Sequence, residues 1–185
     1  KKHRDLKGAI IFIDTDNFKL INDTLGHSVG DEIIIAIGKR IRKLVGHSIK
    51  VYRMGGDEFV LLLQKMKDFE EIKKLASRVI GGFEKGFEIQ DLLIHVSISA
   101  GIAIFPDHGI TAEQLLMRAD IAMYKAKERG KAKYVFYDSK MNQDLVERVN
   151  IEKNLRKAIP NDELLLYYQP QYNIKTREII GFEAL

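Results

Sequence analysis

Two short apolar stretches, residues 49–53 and 59–63, are separated by Met54-Gly55-Gly56-Asp57-Glu58. Paired glycines permit the positive φ that a tight hairpin requires, so the two stretches are expected to run antiparallel with an acidic pair at their turn. Any sheet that takes up this hairpin and also accepts strands through helical crossovers must be mixed.

The rest of the chain supplies such strands and helices. Residues 8–14 form a compact apolar run ending in acidic and turn-forming residues, which reads as a strand with Asp14 at its end. Over residues 31–45, Ile33, Ile34, Ile37, Ile41 and Leu44 recur at helical spacing and leave Lys39, Arg40, Arg42 and Lys43 to solvent. A second helix is marked by Phe69, Ile72, Leu75, Ala76, Val79, Ile80 and Phe83 and closed by glycines at 81, 82 and 86. Residues 93–105 alternate strictly and predict one long central strand. Thr111 and Gln114 are spaced as a capping box opening a third helix that stops at Gly130, and residues 134–137 return as a strand. The order βα, β-hairpin, αβ, αβ predicts an α/β (α+β) sandwich, with a mixed central sheet flanked by helices in a ferredoxin-like or palm-type core. A charged helix over residues 139–158 follows, with Leu145, Val149, Leu155 and Ile159 as its apolar stripe, and Pro160-Asn161-Asp162 ends it. Residues 164–168 and 179–182 read as two further strands. The expected organisation is a core domain over 1–138, a linker helix over 139–160 and the start of another domain over 161–185.

Composition narrows the classes. At 185 residues and 45% hydrophobic content the chain suits one buried domain plus an extension. The absence of cysteine excludes disulfide and thiolate-metal frameworks and fits a reducing, cytoplasmic setting. Its longest apolar runs fall far short of the roughly 20 residues needed to cross a bilayer. A net charge of +4 suits phosphate ligands, but no basic run with interleaved aromatics argues for nucleic acid. The chain opens on Lys1 rather than Met and stops at Leu185, which reads as a piece of something larger.

A second acidic cluster, Asp14-Thr15-Asp16, sits at the end of the first strand. Carboxylates from two strand ends suit Mg²⁺, which takes a few carboxylate oxygens plus substrate phosphate; if those strands are neighbours, the site assembles itself. An EF-hand beginning at Asp14 is excluded, because Phe18, Lys19 and Leu25 stand where an Asp or Asn, a Gly and a Glu are required. The five histidines lack metal spacing, Ser97 and Ser99 lack a nucleophile elbow, and no phosphate-binding P-loop occurs.

Four ordered motifs make the pattern specific. These are residues 12–23, FIDTDNFKLIND; Gly26-His27 with Gly30-Asp31; Arg53-Met54-Gly55-Gly56-Asp57-Glu58-Phe59; and residues 119–127, ADIAMYKAK. Together, over residues 8–138, they closely resemble the GGDEF family of diguanylate cyclases. The resemblance implies that Asp14 and Asp57 hold metal through carboxylates, helped by the Thr15 carbonyl, and that Glu58 adds a ligand or helps activate the attacking 3′-hydroxyl. It implies that Asn22 and Asp31 read the guanine edge, and that Lys19, Lys127 and Lys131 contact the triphosphate of GTP beside Phe18. Lysine at 131 departs from the family's usual arginine and loses the bidentate fork. Two Mg²⁺ or Mn²⁺ ions and a homodimer with facing half-sites are implied as well. The family's inhibitory R-x-x-D sequence is replaced by Gly46-His47-Ser48-Ile49, which predicts weak or absent product inhibition by that route.

Plainer roles exist for the same residues: Asp16 bonding its own turn, Asn22 and Asp31 as turn and helix-cap residues, the lysines as surface charges, His27 as a structural group. The tail, Tyr168-Gln169-Pro170 and Gly181-Phe182-Glu183-Ala184-Leu185, resembles the opening of an EAL domain, the family that hydrolyses cyclic di-GMP. The parent protein is therefore expected to be a GGDEF and EAL tandem, membrane-anchored or not. A catalytically silent GTP-binding regulator of the adjoining EAL domain and a dimerisation scaffold are the alternatives to an active cyclase.

Overall fold

The first strand has no solvent face: all eight of its residues are buried, which is why its sequence is an unbroken apolar run rather than an alternation. The computed structural model describes residues 7–185, apart from the Val149 side chain. In chain order its first unit contains β1 (Gly8–Thr15), α1 (Phe18–Leu25), α2 (His27–Val45), β2 (Lys50–Gly55), β3 (Glu58–Leu63), α3 (Phe69–Gly81), β4 (Phe87–Ile89), β5 (Leu92–Ile94), β6 (Ile98–Phe105), α4 (Ala112–Glu128) and β7 (Tyr134–Phe136). Then come α5 (Ser139–Ala158), β8 (Tyr168–Tyr172) and β9 (Ile179–Ala184). Five strands form one sheet in the order β2-β3-β1-β6-β7. β1 is antiparallel to both neighbours and β2 to β3, whereas β6 and β7 are parallel. The sheet is mixed, with helices on both faces.

Alternate residues of the central strands feed two cores. Ile11, Ile13, Phe59, Leu61, Ile98 and Ile102 face α2 and α3, where Ile33, Ile37, Ile41, Ile72 and Val79 complete the larger cluster. Ile10, Phe12, Val60 and Ala103 face α4 and meet Leu115, Ala119 and Met123. Each fully buried isoleucine contributes roughly 1.5–3 kcal/mol of transfer free energy, so α2 is held chiefly by its apolar stripe. Helix α4 lies closest to the sheet at Gly101, where an added Cβ would fall 1.9 Å from the Ala119 carbonyl oxygen and 2.1 Å from the Met123 nitrogen.

Several expectations need correction. The long strand over 93–105 is broken: residues 95–97 leave the ladder, and Leu92–Ile94 turns back on Phe87–Ile89 as a small hairpin through Gln90 and Asp91 at φ 49° and 63°. Alternation persisted across the break because Val96 is buried in the same cluster as Ile98. Helix α2 starts at His27, four residues before the expected start, and α1 was not foreseen from periodicity. Asp31 therefore lies inside a helix, and neither it nor Asn22 is a cap. The Thr111–Gln114 box is half formed: Gln114 N–H donates to Thr111 Oγ1 at 3.2 Å, while Gln114 Oε1 accepts from Ile110 N–H instead of Thr111.

By internal contacts the chain divides into Lys1–Asn142 and Gln143–Leu185. In the second unit β8 pairs antiparallel with β9 from Tyr168↔Ala184 to Tyr172↔Ile179, so the strand expected at 164–168 lies later in the chain. Leu145, Leu155 and Ile159 of the expected α5 stripe are exposed, and the Val149 side chain lies outside the described residues.

Gly101→Ala is expected to cost about 1–3 kcal/mol, because the methyl must push the α4 backbone off the sheet. An unfolding free energy from urea titration within about 0.5 kcal/mol of wild type contradicts this seating of α4.

Candidate active site

The antiparallel register of β1 and β3 pairs Asp14 with Glu58, so the two acidic clusters meet at one end of neighbouring strands. The hairpin turn between Gly55 and Glu58 is formed by Gly56, at φ 49°, and Asp57. Only one of the two glycines uses the left-handed region. An added Cβ at either would meet nothing within 4 Å, so the backbone there is open to a ligand. Arg53 fixes the turn: its Nε and Nη2 donate to the Gly56 carbonyl at 3.0 and 2.7 Å. Thr15 Oγ1 donates to the Asp57 carbonyl at 3.2 Å, tying the turn to the end of β1.

Asp14 is buried, with its Oδ1 in ion-pair contact with Lys127 Nζ at 2.5 Å. The Lys127 ammonium is the partner of this buried oxygen. Burial pushes the Asp14 carboxyl above its ordinary range; Lys127 pulls it down, and Asp57 and Glu58 push it up again. Helix α4 delivers Lys127 to this point from its last turn. Lys131 lies in the following loop, where Nζ donates to Asn17 Oδ1 at 2.7 Å.

The proposed guanine readers sit at the corner between α1 and α2. An added Cβ at Gly30 would fall 1.8 Å from Asn22 Oδ1 and 3.4 Å from the Phe18 ring, so glycine is what lets Asn22 lie against α2 beside Asp31. Asp31 is exposed, as is Lys19 in the first turn of α1. Phe18 is half-buried and packs against the main core. The structure thus brings Asp14, Thr15, Asp57, Glu58 and Lys127 together, sets Lys131 beside them on Asn17, and places Asn22 next to Asp31.

Asp16 does not bond its own turn. Its carboxylate accepts from Ser97 Oγ and Ser99 Oγ, both at 2.7 Å, and from Ala132 N–H at 3.1 Å. Sequence reasoning missed the roles of Ser97, Ser99 and Arg53. Ser99 was readable only as a polar residue within a buried strand.

A profile of the family described as "Diguanylate cyclase, GGDEF domain" matches residues 1–133. The chain belongs to the GGDEF family. Solved GGDEF structures share its fold: the GGDEF domain of YfiN (TpbB) from Pseudomonas aeruginosa is 35% identical with a TM-score of 0.74, covering 78% of this chain and 84% of that one. The active GGEEF domain of a diguanylate cyclase from Vibrio cholerae is 31% identical with a TM-score of 0.64, covering 72% and 84%. Among curated proteins, the signaling protein YkoW of Bacillus subtilis is 41% identical over 96% of this chain, which spans 22% of that protein. MucR of P. aeruginosa, a bifunctional diguanylate cyclase/cyclic di-GMP phosphodiesterase, is 36% identical over 98% of the chain and 26% of its own length. The chain thus spans about a quarter of these relatives.

The GGDEF site fits a hard divalent cation chemically. Its donors are oxygens, and the buried Asp14 Oδ1 already draws a cation, the Lys127 ammonium. Among the described residues no three His, Cys, Asp or Glu side chains converge as a finished ligand set, so closure on an ion requires the hairpin carboxylates to move in. No helix among those residues is long and apolar enough to cross a membrane.

The raised Asp14 pKa has a definite sign for stability. The folded state binds this proton more tightly than the unfolded state, so ionised Asp14 costs stability at neutral pH, and the cost fades as pH falls through the raised value toward 3.8. Asp14→Asn is therefore expected to raise the melting temperature of the metal-free protein at pH 7 and leave it little changed near pH 3.5, while removing stabilisation by added Mg²⁺ or Mn²⁺. A lower melting temperature at pH 7 contradicts this assignment.

Proposed function

We propose that this domain is a diguanylate cyclase that joins two GTP molecules into cyclic di-GMP and releases two pyrophosphates. The observation that carries the reading is the Asp14↔Glu58 register, which sets the metal-strand carboxylate beside the hairpin pair with Lys127 on Asp14. Asp14, Asp57 and Glu58, with the Thr15 carbonyl, would hold Mg²⁺ or Mn²⁺, two ions per site. Bound there, such ions neutralise triphosphate charge and favour ionisation of the attacking hydroxyl.

The chain's own residues do the rest. Asn22 and Asp31 offer an amide and a carboxylate to the acceptor and donor groups of the guanine edge, with Phe18 packed beside them. Lys19, Lys127 and Lys131 hold the triphosphate. Glu58 takes the proton as the 3′-oxygen of one GTP bonds to the α-phosphorus of the other and the bond to pyrophosphate breaks. A second, identical transfer closes the ring. Each chain presents one such half-site, so a homodimer with facing half-sites is required.

A regulatory reading is favoured by one observation: PdeR of Escherichia coli, named a cyclic di-GMP phosphodiesterase, is 35% identical over 97% of this chain. In that reading the domain binds GTP without turnover and tunes an EAL phosphodiesterase begun by residues 161–185. Retention of Asp14, Asp57 and Glu58 supports the cyclase.

Incubation with GTP and Mg²⁺ separates the readings: cyclic di-GMP and pyrophosphate mean cyclase, GTP binding alone means regulator, neither means scaffold. Asp57→Ala and Glu58→Ala are each expected to lower turnover by about a hundredfold or more. Either variant retaining wild-type turnover contradicts the assigned roles.

A further inference from the structure

Asp16 has no part in the cyclase chemistry above, yet its carboxylate is buried and satisfied by three donors from two other segments. Oδ1 accepts from Ser99 Oγ, and Oδ2 accepts from Ser97 Oγ and Ala132 N–H. Its own N–H donates to the Ser97 carbonyl at 2.9 Å. The end of β1, the start of β6 and the loop between α4 and β7 are therefore joined at one side chain. With its lone pairs engaged by these donors, Asp16 is held toward the sheet rather than offered to an ion.

The loop it grips is bent in an uncommon way. Gly130, Lys131 and Ala132 follow one another at φ 102°, 61° and 48°. Consecutive left-handed conformations at non-glycine residues persist only where the surroundings over-determine them. Here three bonds do so: Lys131 N–H to the Ala126 carbonyl at 3.1 Å, Ala132 N–H to Asp16, and Ala100 N–H to the Lys133 carbonyl at 2.9 Å. The bend directs the Lys131 ammonium onto Asn17, the residue next to Asp16 and at the start of α1.

We infer that Asp16 is a positioning residue for the triphosphate: it clamps the 130–132 bend to the metal strand and so sets where Lys131 stands relative to Asp14. It acts through the backbone and touches no substrate. The inference rests on the reading of this site as a GTP site. Shape rather than charge is what the clamp needs. An asparagine at 16 can still accept from Ala132 N–H and Ser97 Oγ, and can donate to Ser99, whose hydroxyl reverses. An alanine can do neither.

Two readouts on the full chain test this. The first is calorimetric binding of GTP with Mg²⁺ by wild type, Asp16→Ala, Asp16→Asn, Lys131→Ala and the double variant Asp16→Ala, Lys131→Ala. Asp16→Ala is expected to weaken GTP about tenfold or more, as loss of an outer supporting residue does, and Asp16→Asn less than about threefold. The double variant should be no weaker than Asp16→Ala alone, since Lys131 is already misplaced. Mn²⁺ binding without nucleotide should change less than about threefold, because Asp14 keeps its own strand pairing. The second is hydrogen exchange of the Ala132 amide without nucleotide, expected to accelerate in Asp16→Ala and not in Asp16→Asn. If Asp16→Ala does not fold, Ser97→Ala removes one arm of the clamp and is read in the same way, with a smaller loss of GTP affinity. Additive losses in the double variant, equal losses of Mn²⁺ and GTP, or unchanged Ala132 exchange overturn the inference alone. A folded wild type that binds no GTP overturns the GTP-site reading, and this inference with it.

Discussion

The antiparallel pairing of β1 with β3 is the constraint on which the rest depends. Side chains alternate faces along a strand, so a slip of one residue would move every apolar side chain of β1 to the wrong core and would part Asp14 from Glu58. Because β1 is buried on both faces, between α2 and α3 on one side and α4 on the other, that slip is strongly disfavoured. Two helical layers thus enforce the pairing that brings the two acidic clusters together, and the Thr15 and Arg53 hydrogen bonds then fix the turn.

The same burial creates tension. A strand with no solvent face ends in a carboxylate, and burial opposes the charge of Asp14. Lys127 offsets the charge from the last turn of α4. Helix α4 can hold it there because Gly101 lets that helix settle directly on β6. Asp16, two residues on, shows the contrasting solution, with every donor supplied by serines and a backbone amide. One carboxylate is balanced by an ammonium and the other by neutral donors, so the first is the one whose partner a cation could replace.

Much of this was legible in the sequence because it depends on periodicity and turn chemistry. The hairpin followed from Gly55 and Gly56, β1 from its apolar run, and α2 and α3 from their stripes. What could not be read depended on contacts between distant segments. Alternation ran on through residues 95–97 although the strand stops, since Val96 stays buried after the ladder has ended. The stripe of α1 rests on Phe18, Ile21 and Leu25 alone, two turns that the turn-forming residues around them obscure. A turn bond was only one of the roles open to Asp16 in the sequence, and its actual partners lie more than 80 residues away at Ser97 and Ser99, and further still at Ala132. Glycine at 30 carries no sign in sequence that Asn22 needs its missing side chain.

The central claim is that strand register places Asp14 and the hairpin carboxylates around one cation site. Anomalous scattering from Mn²⁺ in crystals of the wild-type chain grown with a non-hydrolysable GTP analogue tests it directly. The account predicts a manganese peak bonded to Asp14 and to at least one of Asp57 and Glu58, with Lys127 released from Asp14 toward the phosphates. A peak elsewhere, with Lys127 still on Asp14, would contradict it.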